Sequence, residues 1–310
     1  MVFPGQGSQS VGMLSALAGA FPVVRETFDE ASAVLGYDLW QVVSEGPAER
    51  LNQTACTQPA LLTAGVATWR CWLQRTDRHP AMMAGHSLGE YTALVCAGAL
   101  DFTDAVSLVE KRGLHMQNAV PEGSGAMAAI LGLEDEQVVD VCAQAAQGET
   151  VSAVNFNSPG QVVIAGSKAA VERAMALAKQ AGAKRALPLP VSVPSHCGLM
   201  RPAAEAFAAD LAGVPVKTPV IPVLHNVDVE RHDDPDAIRN ALVEQLYKPV
   251  RWVGVIHAMR AAGINNVFEM GPGKVLAGLN KRIDKTLPGI AVQTDTDLDK
   301  ALALAEQTGS

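Results

Sequence analysis

The stretch Ala84-Gly85-His86-Ser87-Leu88-Gly89-Glu90 limits the folds open to this chain more than any other. The apolar run Met82, Met83, Ala84 enters it, and Leu88, Tyr91, Leu94 and Val95 leave it on one helical face. Strand, sharp turn and helix, with G-x-S-x-G at the turn, make a nucleophile elbow, which presents a serine hydroxyl above the strand ends of an α/β sheet. The turn is tight, so little side chain fits beside the serine, and Gly85 and Gly89 supply that room. Ser87 then stands at a helix N-terminus, where free main-chain N–H groups point toward a developing oxyanion. A purely structural reading competes. Ser87-x-x-Glu90 ahead of an apolar helix is also a capping box. A cap alone leaves Gly89 unexplained, since glycine within a helix costs about 1 kcal/mol against alanine.

The flanks extend this pattern. Met1-Val2-Phe3 reads as the end of a strand running into Pro4-Gly5-Gln6-Gly7-Ser8-Gln9, a glycine-paired loop that lets main-chain N–H groups approach a ligand. Helices are expected through about residue 75, with Thr57-Gln58-Pro59 introducing the one before the elbow. Asp101 to Val120 reads as a helix with a narrow apolar stripe at Val106, Val109, Gly113, Met116 and Val120. Lys111 falls opposite that stripe. Arg112 falls on its flank, where an arginine snorkels, pairs with a carboxylate of the protein, or awaits one carried by a substrate.

From Gly123 to Val191 the texture changes to strand, helix, strand, strand, helix, strand, a ferredoxin-like order. The strands are expected at Gly125–Leu133, Val151–Asn157, Gln161–Ala165 and Ala183–Pro190. Asn155 and Asn157 are two apart on one of them and share a face. The chain then resumes alternation, with a strand at Val220–Asn226, a helix over 236–247, a strand at Asn266–Met270 and a helix ending at Ile283. The expected fold class is α/β: a large α/β-hydrolase-like lobe (1–122 and 192–310) with a mostly parallel sheet, and an inserted ferredoxin-like small subdomain (123–191). A cleft between the two is where a site would lie.

Composition narrows the function. The formal charge of −8 over 310 residues argues against nucleic-acid binding. Five scattered cysteines without a C-x-x-C pair argue against a zinc site or a disulfide framework and fit a reducing compartment. No run reaches about 18 apolar residues and no signal peptide opens the chain, so a soluble cytoplasmic protein is expected, away from membranes. Gly271-Pro272-Gly273-Lys274 lacks the spacing of a nucleotide P-loop.

A serine nucleophile needs a base, and seven histidines compete. His86 adjoins Ser87 at a sharp turn and points elsewhere. His79, His115, His232 and His257 sit in polar surroundings. His196 and His225 both lie near the ends of strand-like runs, where sites collect in open α/β sheets. The residues alone leave these two tied.

Five motifs, in order, break the tie: Phe3-Pro4-Gly5-Gln6-Gly7-Ser8-Gln9, Gly85-His86-Ser87-Leu88-Gly89-Glu90, Arg112, Pro194-Ser195-His196 and Gln245-Leu246-Tyr247. Together they resemble the malonyl-CoA:acyl-carrier-protein transacylases, over nearly the whole chain. The family's first strand is several residues longer, so a short first strand is expected here. The resemblance implies Ser87 as nucleophile, His196 as base, and Arg112 as partner of the malonyl carboxylate. It implies Gln6 and Leu88 as oxyanion-hole N–H donors, and Gln245 as the residue whose main-chain carbonyl orients His196. Gln58, Asn155 and Met116 are further candidate substrate contacts.

The implied reaction is ping-pong transfer of malonyl from malonyl-CoA, through malonyl-serine, to the phosphopantetheine thiol of acyl carrier protein for fatty-acid synthesis. CoA is the other product, and neither a bound cofactor nor a metal is called for. A monomer is expected. The acidic carrier needs a positive landing site, and Lys184-Arg185 and Lys281-Arg282 are the densest basic clusters. Rival readings are a carrier-loading enzyme of polyketide synthesis or malonate metabolism, a serine thioesterase or esterase, and a catalytically silent carrier-binding protein.

Overall fold

Short apolar runs become strands and the amphipathic stretches between them become helices, which cover the larger sheet on both faces and the smaller one on a single face. The computed structural model describes residues 1–191, 193–287 and 289–307. The expected segment boundary at residue 192 and the final residues 308–310 lie outside the described residues. The strands are β1 (Val2–Phe3), β2 (Met83–Gly85), β3 (Gly125–Leu131), β4 (Val151–Ser158), β5 (Gln161–Ser167), β6 (Arg185–Pro188), β7 (Val223–Leu224), β8 (Val267–Met270) and β9 (Gly289–Val292).

One sheet runs β7-β2-β1-β8-β9, with every pair parallel. β1, β2, β7 and β8 are buried on both faces, which is why they read as continuous apolar runs instead of alternating ones, while the edge strand β9 is partly exposed. Val2, Ala84, Leu224 and Val267 pack toward helices Trp252–Ala261 and Val275–Ile283. Phe3, Met83, Val223 and Met270 pack on the opposite side, in the core formed with helices Thr54–Arg75, Leu88–Cys96 and Phe102–Asn118. Parallel strands share one C-terminal edge. The loop after β1, the elbow after β2, His225-Asn226 after β7 and the glycine loop after β8 therefore converge there.

The second sheet runs β4-β5-β3-β6 and is antiparallel throughout. One face packs Ala128, Ile130 and Ile164 on helices Asp135–Ala146 and Lys168–Gln180. The other face packs Met127, Val154, Val163 and Ala165 around Cys197. β4 is stitched to the main body, since Phe156 N–H donates to the Val250 carbonyl at 3.0 Å and Val250 N–H to that of Val154 at 2.9 Å. Among the described residues no helix is long and apolar enough to cross a membrane.

Three expectations are corrected. The strand at Val220–Asn226 shrinks to Val223–Leu224, because Pro222 has no N–H for the ladder and Val220 is 80% exposed. The strand at Ala183–Pro190 is only Arg185–Pro188. The helix expected to start at Thr57–Pro59 starts at Thr54, and Pro59 is accommodated early inside it.

Candidate active site

The glycines of the elbow are dictated by contact. A Cβ on Gly85 would lie 1.8 Å from the Gly89 carbonyl carbon, and one on Gly89 would lie 2.0 Å from the Phe3 oxygen. Ser87 takes φ 52° and ψ −109°, a conformation that L-residues adopt at a cost of about 1–3 kcal/mol and only when their surroundings hold it. The capping box does not form. Ser87 makes no side-chain cap. Glu90 instead sends one carboxylate oxygen to His225 Nδ1 and the other to the N–H of Asn226, each at 2.8 Å.

The Ser87 hydroxyl faces His196, with Oγ to Nε2 at 2.8 Å. His196 follows Pro194-Ser195 with φ 65°, and its N–H is tied to the Leu246 carbonyl at 2.9 Å. Its Nδ1 lies 2.6 Å from the main-chain oxygen of Gln245. A carbonyl only accepts, so the proton sits on Nδ1 and the lone pair of Nε2 faces the serine. Burial, and then the charge of Arg112, push the His196 pKa down to about 3, so the ring is neutral at pH 7. Geometry sets the two histidines apart: His225 is fully buried on Glu90, away from the Ser87 hydroxyl.

Arg112 is only 1% exposed, deeper than its place on the flank of the apolar stripe suggested. Nη1 donates to Gln58 Oε1 at 2.8 Å, while Nη2 donates to Gln245 Oε1 at 2.9 Å and to Ser87 Oγ at 3.3 Å. The guanidinium also lies over the Tyr91 ring, 5.2 Å from its centroid. All of these partners are neutral, and no described carboxylate forms an ion pair with it. Lys111, its neighbour, faces outward and pairs with Asp210.

A cavity of about 210 Å³ opens over Ser87, between the two sheets. Gln6, Leu88, Arg112, Met116, Asn155 and His196 all line it. Gln58 does not; it lies behind Arg112 and reaches the site only by holding the guanidinium. The main-chain N–H groups of Gln6 and Leu88 donate no hydrogen bond among the described residues. Both are available to an oxyanion, in the arrangement that an elbow and a neighbouring loop provide. At Gln6, Val191 and Val193 the cavity meets a polar groove of about 830 Å³ along Thr54 and Gln117. Among the described residues no cluster of side chains is arranged to hold a metal ion.

The basic clusters, far apart in sequence, are brought together by strand register. Leu131 pairs with Gln161 on one side and Arg185 on the other, and Arg282 Nη1 donates to Gln161 Oε1 at 2.6 Å. Lys184, Arg185, Lys281 and Arg282 are all exposed. The helix that carries Lys281 and Arg282 also lends Val275 and Leu279 to the cavity wall.

Sequence reasoning missed three features. The Gln245 side chain bridges Arg112 and the Ser87 carbonyl. Asn226 holds the elbow, with its side chain on Gly85 and Ser87. His86 Nε2 reaches Asn157 Oδ1 at 2.8 Å, across the cleft. The available signal was a polar pair, His225-Asn226, ending an apolar run.

The acyl transferase domain family matches residues 1–286. The malonyl CoA-acyl carrier protein transacylase of Escherichia coli K12 is 61% identical over 303 residues, 98% of each chain. That of Haemophilus influenzae is 62% identical over 293 residues, 94% of each chain. The crystal structure of an acyl carrier protein S-malonyltransferase from Vibrio cholerae superposes with a TM-score of 0.95 at 63% identity, covering 97% of this chain and 98% of that one. A malonyl-transacylase solved in complex with a type II PKS acyl-carrier protein gives 0.97 at 58% identity, over 98% of both chains. With a fold and a serine site of this kind, the chain belongs to the acyl transferase family, among the malonyl CoA-acyl carrier protein transacylases.

Proposed function

We propose that the protein transfers malonyl groups from malonyl-CoA to the phosphopantetheine thiol of acyl carrier protein, through a malonyl ester on Ser87. The observation that carries this reading is Arg112: a buried guanidinium beside Ser87 Oγ whose partners among the described residues are all neutral. A buried charge of that kind calls for an opposite one, and the planar carboxylate of malonyl matches the guanidinium fork.

In the first half-reaction His196 Nε2 takes the Ser87 proton as Oγ attacks the thioester carbonyl. The N–H groups of Gln6 and Leu88 bear the oxyanion, and Nδ1–H stays on the Gln245 carbonyl. Collapse breaks the C–S bond, and His196 returns the proton to the departing CoA sulfur. In the second half-reaction His196 deprotonates the carrier's thiol, which attacks the ester, and Ser87 Oγ leaves with that proton. Met116 and Asn155 contact the acyl chain in this reading, while Gln58 fixes Arg112 from behind.

The antiparallel sheet with its two helices is a ferredoxin-like subdomain at 123–191, inserted into an α/β-hydrolase-like lobe. Lys184, Arg185, Lys281 and Arg282 form the carrier's landing site at the rim. The reading has the enzyme act in the cytoplasm as a monomer, with no cofactor beyond its substrates. A carrier of polyketide assembly is the second reading, favoured by the likeness to the transacylase solved with such a partner.

The acceptor distinguishes transfer from hydrolysis. Malonyl-enzyme given carrier protein bearing phosphopantetheine is expected to pass its acyl group to that thiol far faster than to water. Release of free malonate at the same rate with or without carrier would mark a thioesterase and overturn the proposal.

A further inference from the structure

His225 belongs to a buried network around the elbow. Asn226 Nδ2 donates to the Gly85 carbonyl and Asn226 Oδ1 accepts from the Ser87 N–H, both at 2.7 Å. The carbonyl only accepts and the N–H only donates, so the side-chain amide has a single orientation. One amide thus grips the peptide units on either side of His86, where the backbone turns into its positive-φ conformation at Ser87. Asn226 is itself anchored, since its N–H donates to Glu90 Oε2 at 2.8 Å and its carbonyl accepts from Arg251 N–H at 3.1 Å. Glu90 sits one turn into the helix that leaves the elbow, and its second oxygen takes His225 Nδ1–H. His225 in turn packs against His232, which is held by Asp228. Glu90, His225 and Asn226 are all fully buried.

We infer that Asn226 is a positioning residue for the nucleophile, and that Glu90 and His225 keep it in register. The elbow stores strain, and a peptide unit free to rotate there would swing Oγ away from His196. The clamp also occupies the Ser87 N–H, which leaves oxyanion binding to Leu88 and Gln6. None of the three side chains lines the cavity over Ser87. Their loss therefore lowers the rate of attack and leaves substrate binding intact. The inference rests on Ser87 being the acylated residue.

The test is rapid-quench mass spectrometry of malonyl-Ser87 formation at a series of malonyl-CoA concentrations, which separates the plateau rate from the half-saturating concentration. Asn226→Ala is expected to lower the plateau about 100-fold, the scale of a small misplacement of a reacting group, without moving half-saturation. Glu90→Ala should behave alike. Glu90→Gln should recover most of that loss, because its carbonyl accepts from Asn226 N–H and its amide faces His225, whose ring proton shifts to Nε2. Wild-type protein that forms no adduct would defeat the functional reading itself. Wild type that loads, beside a folded Asn226→Ala within about threefold of it, overturns this inference alone. A rise in half-saturation at an unchanged plateau overturns it too. If Asn226→Ala does not fold, Glu90→Ala against Glu90→Gln decides. Insolubility of both alanine variants would assign the network to folding and count against the inference.

Discussion

Arg112→Ala removes a buried guanidinium held by Gln58, Gln245 and Ser87 and lying over Tyr91, with no carboxylate of the described residues on it. In the proposed reaction, that charge faces the distal carboxylate of malonyl. Truncating one partner of a buried, hydrogen-bonded charge pair costs about 2–5 kcal/mol. At about 1.36 kcal/mol per tenfold in rate, malonyl loading falls about 30- to 5,000-fold. Acetyl-CoA has no distal carboxylate and forfeits none of this. The substitution also removes the charge that, after burial, does most to lower the His196 pKa, so the base strengthens. Acetyl loading should therefore change by less than about tenfold in either direction. The assay is kcat/KM for Ser87 acylation by the two thioesters, with a melting curve to establish that the variant is folded. Equal losses for both substrates would refute the carboxylate pairing.

The pKa of His196 sets two pH dependences. Because the ring is neutral down to about pH 3, kcat/KM for loading should stay flat from about pH 8 to pH 5, and a sigmoid centred near 6.5 would contradict it. Between pH 6.5 and about 3 the unfolded chain binds a proton at His196 that the native chain excludes. Its stability contribution is thus complete above 6.5 and is lost as pH falls, so His196→Gln should narrow the difference in urea midpoint between pH 7 and 5. Gly89→Ala drives a Cβ onto the Phe3 carbonyl oxygen and should lower stability by at least about 3 kcal/mol or prevent folding, as read from denaturant midpoints. Lys281→Glu with Arg282→Glu should slow transfer to carrier protein and leave loading from malonyl-CoA unchanged; equal transfer rates would remove that patch from the docking surface.

Features set by neighbouring residues were legible in the sequence, and features set by the fold were not. The strand–turn–helix at Ser87 follows from an apolar run, two glycines and a helical repeat within one short stretch. The β-α-β-β-α-β order after Gly123 is legible because each element carries its own periodicity and turn residues. Arg112 looked like the edge of an amphipathic helix, because its burial comes from Gln58 and Gln245, on other elements. The capping box at Ser87-x-x-Glu90 was a sound local inference. It failed because a tertiary partner, the His225-Asn226 pair, competes for the Glu90 carboxylate. The choice between His196 and His225 needed a resemblance for the same reason: both end strand-like runs, and only three-dimensional proximity gives one of them to Ser87.

The central claim is a malonyl group carried on one hydroxyl. Intact-protein mass spectrometry after brief mixing with malonyl-CoA, followed by peptide mapping, tests it directly. The account predicts a single malonyl increment that maps to Ser87, is absent from Ser87→Ala and disappears on adding carrier-protein thiol. Wild-type protein that gains no mass, or an increment that persists in Ser87→Ala, would contradict it.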